Sequence, residues 1–114
     1  MHKRTLAQKF LLPGLLLLAM AACGRQRQVV IVSTNDIHSA IDAFPNLASL
    51  VEKQRAEHPG NVLLVDAGDR WTGNPYVDRA PSKYKPVVDL MNELGYDLAT
   101  FGNHEWDAGV DTLA

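Results

Sequence analysis

The chain has 114 residues, 46% hydrophobic and 21% charged, which leaves room for one small globular domain at most. Its formal net charge of −2 does nothing to favour a polyanionic nucleic-acid partner. A single cysteine, Cys23, excludes an internal disulfide framework.

The first segment reads as a processed one. Met1-His2-Lys3-Arg4 is basic, Phe10 to Ala22 is apolar apart from Pro13-Gly14, and Ala21-Ala22-Cys23 precedes a polar switch at Gly24-Arg25-Gln26. This order predicts a secretory signal peptide over residues 1–22. The apolar run is too short for a spanning helix, which needs roughly 20 such residues. Met20-Ala21-Ala22-Cys23 resembles a bacterial lipobox, with Met20 where Leu is usual. That resemblance implies that Cys23 becomes a lipidated amino terminus, that residues 23–28 form a short tether, and that the acyl chains anchor the protein to a membrane without spanning it. The protein is then exported to the bacterial cell envelope, and Gly24 after the cysteine favours the outer membrane or periplasm. The competing reading is a plain secretory peptide with an incidental cysteine. Cleavage removes Lys3, Arg4 and Lys9 but no acid, which takes the net charge from −2 to −5. Around a phosphate site, such an acidic balance implies that bound metal supplies the positive charge.

Beyond the tether, strands and helices alternate. Residues 28–33 are a continuous apolar, β-branched run, the signature of a strand covered on both faces. Residues 46–57 carry Leu47, Leu50 and Val51 against Glu52, Lys53 and Arg55 at helical spacing. Pro45 opens that helix and His58-Pro59-Gly60 ends it. Residues 61–65 form a second buried strand. Residues 70–81 are rich in Gly, Pro, Asn and Asp and read as a loop. Residues 82–94 make a second helix with Val87, Leu90, Met91 and Leu94 on one face, Pro86 in its first turn and Gly95 as its cap. Residues 96–101 are the third strand, and residues 107–113 resemble the start of a third helix.

The order β-α-β-α-β predicts an α/β fold with a parallel sheet and helical crossovers. Ligands of such sheets bind outside the carboxyl ends of the strands. That rule places Asp36, His38, Asp69, Asn103 and His104 along one edge. Asp36 and His38, two apart, point the same way if the segment is extended, so both can hold one ion. Gly68 allows a close approach of backbone to ligand beside Asp69. Asn103 adds a neutral oxygen, useful where more anions would repel a phosphate. Two cations, about 3.5–4 Å apart in sites of this kind, activate water and clamp a transferred phosphoryl group. Each carboxylate also has a plainer reading as a turn former or helix cap. Asp66 reads as a turn residue or as a support behind the site's ligands, His38 among them, Glu105 as either loop packing or support for the site, and His58 as structural. Trp71 and Tyr76 either stack a substrate base or pack the loop, with packing favoured. Asp42 and Asp78 read as solvated loop charges.

Asp36-x-His38, Gly68-Asp69 and Gly102-Asn103-His104-Glu105 together resemble the successive signatures of the calcineurin-like metallophosphoesterase superfamily. Thr34-Asn35-Asp36, Val65-Asp66-Ala67-Gly68-Asp69, the stretch from Leu90 to Asp97, and Gly102 to Asp107 are similar to the secreted bacterial 5'-nucleotidase family. The resemblance covers essentially all of residues 29–114. It implies that this segment is the amino-terminal part of a two-sheet sandwich flanked by helices, incomplete at 114 residues. By the same resemblance Asp36 and His38 bind the first metal, Asp69 bridges both, and Asn103 binds the second. His104 stabilises the transition state or protonates the leaving alkoxide, with Asp107 orienting its ring.

The implied cofactors are two divalent ions, of which Zn, Mn, Fe and Co all suit Asp/His/Asn donors. The implied reaction is metal-assisted hydrolysis of a phosphomonoester, with nucleotides as substrates. The family also brings downstream histidines and a C-terminal nucleotide-binding domain, neither of which lies within these residues. The isolated chain is therefore expected to be inactive. The rival expectation is a truncated lipoprotein fragment or binding module with a partial metal half-site.

Overall fold

Three short apolar segments pair in parallel and in chain order. The computed structural model describes residues 28–112, so the segment expected to be a signal peptide, Cys23 and nearly all of the expected tether lie outside the described residues. Strand β1 is Val30–Thr34, β2 is Val62–Asp66 and β3 is Leu98–Ala99. Their order is β1-β2-β3, both pairings are parallel, and Ile31 stands opposite Leu63 and Thr34 opposite Asp66. The expected α/β alternation is present. The third strand is shorter than the sequence suggested, because the Asp97 carboxylate takes the Leu64 N–H (2.8 Å) that a longer ladder would engage.

Helix α1, Phe44–Glu57, joins the first two strands. It starts two residues earlier than expected, with Pro45 in its first turn, where a missing N–H costs nothing. It ends at His58 as the His-Pro-Gly turn predicts. The segment expected to be a loop contains one helical turn, α2, Pro75–Asp78. Asn74 caps that turn by accepting the Tyr76 N–H at 3.0 Å, and fully buried Val77 anchors it. Helix α3, Lys85–Leu94, starts later than expected. Pro86 fits only a first turn, and Tyr84 before it sits in the left-handed region at φ 63°. Gly95, at φ 68°, ends the helix as predicted. Arg55 of α1 donates to the carbonyls of Leu94 and Gly95 (both 2.7 Å) and so ties the two long helices together.

The core lies on the helix-covered side and comprises Phe44, Trp71, Val77, Tyr84, Val87 and Met91, with Leu90 and Leu94 packed against it. Trp71 stacks on Tyr84 with ring centroids 4.7 Å apart and planes 6° apart, so Trp71 packs the loop. The expectation that the strands are covered on both faces is not met among the described residues. Ile31 is 65% exposed and Leu98 66%, with Leu63 exposed beside them, so the second face is open. Residues 107–113 do not begin an α-helix within the described part. They form a 3-10 turn at Val110–Thr112.

Candidate functional site

All three strands deliver their carboxyl ends to one edge, and the loops leaving them are laced together. Past the paired strands, Ala67 N–H donates to Thr34 O (2.9 Å), Asp36 N–H to Gly68 O (3.1 Å), His38 N–H to Asp69 O (3.0 Å) and Ser39 N–H to Arg70 O (2.9 Å). The loop after β1 is thus bonded along the loop after β2, but it is not extended. Asp36, His38 and Ser39 have φ of 53°, 45° and 58°. Asp and His tolerate this left-handed conformation better than most residues. The extended-chain argument for Asp36 and His38 is therefore replaced by a coiled loop that reaches the same convergence, with His38 Nε2 3.6 Å from Asp36 Oδ1.

Asp69 joins them. One ligand atom from each of Asp36, His38 and Asp69 lies within 4.8 Å of the others, a spacing compatible with a shared metal ion. Asn103 completes the edge. With its amide set by hydrogen-bond complementarity, its nitrogen faces Asp69 Oδ2 at 3.2 Å. His38 Nδ1 is 3.0 Å from the carbonyl of Thr72. A carbonyl can only accept, so Nδ1 is the donor, and Nε2 is the ring nitrogen on the carboxylate side.

The loop after β3 carries the second group of predicted residues. The His104 N–H donates to Asp69 Oδ1 at 2.8 Å, and the His104 ring stands edge-on to His38 with centroids 4.9 Å apart. His104 Nδ1 and Asp107 Oδ2 are 2.8 Å apart. This hydrogen bond raises His104 above the ordinary imidazole value of 6.5. The same bond, and then one from the Thr72 hydroxyl, lowers Asp107 below the ordinary carboxylate value of 3.8.

Glycine makes the close approach of these loops possible. Gly68 has φ +105°, and a Cβ there would run into the backbone of Gly102. A Cβ on Gly102 would in turn overlap the Asp69 carboxylate. Glu105 supplies the bond between the loops. It is fully buried, and its carboxylate accepts the N–H groups of Asp69 (2.9 Å), Arg70 (2.9 Å) and Gly102. Arg70 lies between two buried acids, with Nε 3.3 Å from Asp66 and 3.5 Å from Glu105, and it donates to Thr100 O. Asp66 holds the turn itself, accepting from Thr34 Oγ1 (2.8 Å) and the Gly68 N–H (3.1 Å).

The sequence left Glu105 with two readings and gave Arg70 and Thr72 no role. What distinguishes Glu105 is its burial, which the local sequence does not announce, and Thr72 offered no signal either. Asp78 is not a solvated charge, for it is partly buried and accepts the Gly73 N–H at 3.0 Å. Tyr76 is 86% exposed.

The arrangement can do two things chemically. It offers hard oxygen and imidazole donors to a divalent cation, and beside them a histidine whose proton affinity is raised by a carboxylate. The calcineurin-like phosphoesterase family profile matches residues 29–113. Over 115 residues the chain is 37% identical to a 2',3'-cyclic-nucleotide 2'-phosphodiesterase/3'-nucleotidase of Haemophilus influenzae, covering 84% of this chain and 17% of that protein. It is 38% identical over 88 residues to a trifunctional nucleotide phosphoesterase protein of Bacillus subtilis, covering 75% and 6%. It is 35% identical over 122 residues to a 5'-nucleotidase of Bos taurus, covering 89% and 21%. The chain thus spans no more than 21% of the length of these relatives.

Proposed function

Because the chain belongs to the calcineurin-like phosphoesterase family, we propose that it carries the metal-binding edge and the catalytic histidine of an enzyme that hydrolyses nucleotide phosphoesters. The observation that carries this reading is the convergence of Asp36, His38 and Asp69 within 4.8 Å beside the His104–Asp107 pair. Asp36 and His38 would hold one divalent ion together with Asp69, and Asn103 beside Asp69 would serve a second. Bound ions of this kind act as Lewis acids on phosphoryl oxygens and activate water.

The protein's own groups divide the remaining work. Nδ1 of His104 is engaged by Asp107, which leaves Nε2 to face a bound phosphoester. The hydrogen bond with Asp107 raises the proton affinity of His104, which suits the ring to stabilise charge on the phosphoryl group and to release a proton to the departing alkoxide. Asp107 keeps the ring in one tautomer. A nucleotide substrate is supported by the relatives, whose names all refer to nucleotides.

The test is phosphate release from a nucleoside 5'-monophosphate, a 3'-monophosphate and a 2',3'-cyclic monophosphate by the full-length protein supplied with Mn, Co or Zn. The expected result is hydrolysis of at least one, with His104→Ala losing about 100-fold or more in kcat. Activity that survives His104→Ala, or that persists in chelator, would overturn the assignment. Export with lipidation at Cys23 belongs to the same reading and is supported by the basic, apolar and small-residue order of residues 1–23. Labelling of the protein by a palmitate analogue, lost in Cys23→Ser, is the outcome expected; equal labelling of both would refute it.

A further inference from the structure

Thr72 touches both halves of the site with two different atoms. Its carbonyl accepts from Nδ1 of His38 at 3.0 Å, and its hydroxyl donates to Asp107 Oδ2 at 2.8 Å. That same Asp107 oxygen pairs with His104 Nδ1 at 2.8 Å. A continuous path therefore runs from the Asp36–His38 side, through one residue, to the His104–Asp107 pair. The two imidazoles that it reaches stand 4.9 Å apart.

The backbone at Thr72 is strained. Its φ is +67°, a conformation that β-branched residues avoid because Cβ and its substituents crowd the adjoining peptide. Gly or Asn would adopt it more easily. Such strain persists where surrounding contacts over-determine it, and it concentrates at functional sites. The contacts that over-determine it here are identifiable. Trp71, the preceding residue, is buried against Tyr84, and its indole N–H donates to His104 O at 2.9 Å. Gly73, the following residue, has its N–H held by Asp78 at 3.0 Å. Between these two fixed points, only the left-handed turn is observed to present the carbonyl to one histidine and the hydroxyl to the partner of the other.

We infer that Thr72 is a positioning residue. Its carbonyl sets the His38 tautomer for metal binding, and its hydroxyl aims the Asp107 carboxylate at His104, so that the metal-binding and proton-delivering halves share one register. This inference rests on the function proposed above. It predicts a division of effects, because substitution keeps the carbonyl and removes only the hydroxyl.

The test uses the full-length protein and three variants. Thr72→Val keeps the branched shape without the hydroxyl, Thr72→Gly relieves the strain without the hydroxyl, and Thr72→Ser keeps the hydroxyl. The expected result is that Val and Gly lower kcat about 10-fold or more while KM and Co2+ affinity stay within about twofold, and that Ser restores kcat to within about threefold of wild type. Thr72→Gly should also raise the melting temperature while lowering kcat, a combination that a purely structural role does not produce. If Val fails to fold, the Gly and Ser pair decides the matter. Imidazole 15N NMR of the metal-free protein supplies a readout independent of activity. The His104 Nδ1 resonance should move in Thr72→Gly and return in Thr72→Ser, while the His38 Nδ1 resonance stays in place in all. Unchanged kcat and an unchanged His104 resonance in Gly, or a Ser variant as poor as Gly, would overturn the inference. A wild-type protein that hydrolyses no phosphoester would defeat the proposed function alone, and the NMR arm would still judge Thr72.

Discussion

The buried carboxylate of Glu105 accepts the backbone N–H of Asp69 at 2.9 Å and thereby fixes the one acid that faces both halves of the site. Asp69 returns the contact by accepting the N–H of His104, the residue next to Glu105, at 2.8 Å. The loops after β2 and β3 are locked reciprocally, each holding the other's backbone through a side-chain carboxylate.

Breaking that lock should be costly. In Glu105→Gln one acceptor oxygen becomes an amide that faces backbone donors, and Arg70 loses one of its two buried counter-charges. Removing one partner of a buried, hydrogen-bonded charge pair costs about 3–5 kcal/mol. Urea denaturation should show a loss of that order. A loss below about 1 kcal/mol would mean that the carboxylate is not holding the loops.

The close approach of the two glycines gives a second prediction. Gly102→Ala introduces a Cβ where the Asp69 carboxylate now lies, so Asp69 must swing away from Asp36 and His38. Divalent-metal affinity should fall about 10–100-fold, the range typical of disturbed support around metal ligands. Isothermal titration with Mn2+ or Co2+ measures it directly, and unchanged affinity would show that Asp69 is not a ligand.

The third prediction concerns pH in the metal-free protein. His104 is raised, so its contribution to stability is complete below the unfolded value of 6.5 and is lost as pH rises through the folded value. Asp107 is lowered, so its contribution is complete above 3.8 and is lost as pH falls through its folded value. The pair therefore stabilises most between these two unfolded values. NMR titration should place the His104 midpoint above 6.5, and Asp107→Asn should bring it down. A midpoint unmoved by Asp107→Asn would contradict the pairing.

The core offers a control remote from the site. Leu64, at the centre of β2, is fully buried. Leu64→Ala should cost about 2–5 kcal/mol in urea denaturation through lost burial and the cavity left behind. A cost near zero would show that the sheet is not packed as described.

Much of this edge was legible in the sequence because it rests on strong local signals. The β-branched runs at Val30 and Val62 gave the strands, and the parallel-sheet rule then gathered Asp36, His38, Asp69, Asn103 and His104. What was not legible depends on contacts between segments far apart in the chain. Nothing local announces that Thr72 holds a left-handed turn, and the groups that its carbonyl and hydroxyl meet, His38 and Asp107, lie about 35 residues away. Glu105 looked like any loop acid until its burial against Arg70 and three N–H groups was seen. The coil at Asp36 and His38 is imposed by backbone bonds to Gly68 and Asp69, whereas alternation patterns describe only extended chain. The open face bearing Ile31, Leu63 and Leu98 was misread because a continuous apolar run signals burial on both faces but does not name what covers them.

The central claim is that Asp36, His38 and Asp69 form a metal centre. Anomalous X-ray diffraction from crystals of the full-length protein grown with Mn2+ tests it most directly. An anomalous peak is expected within bonding distance, about 2.0–2.3 Å, of oxygens of Asp36 and Asp69 and of Nε2 of His38. Its absence in crystals of Asp69→Asn would support a metal-binding role for Asp69. Crystals with no peak among these three side chains, or with the peak only elsewhere, would contradict the account.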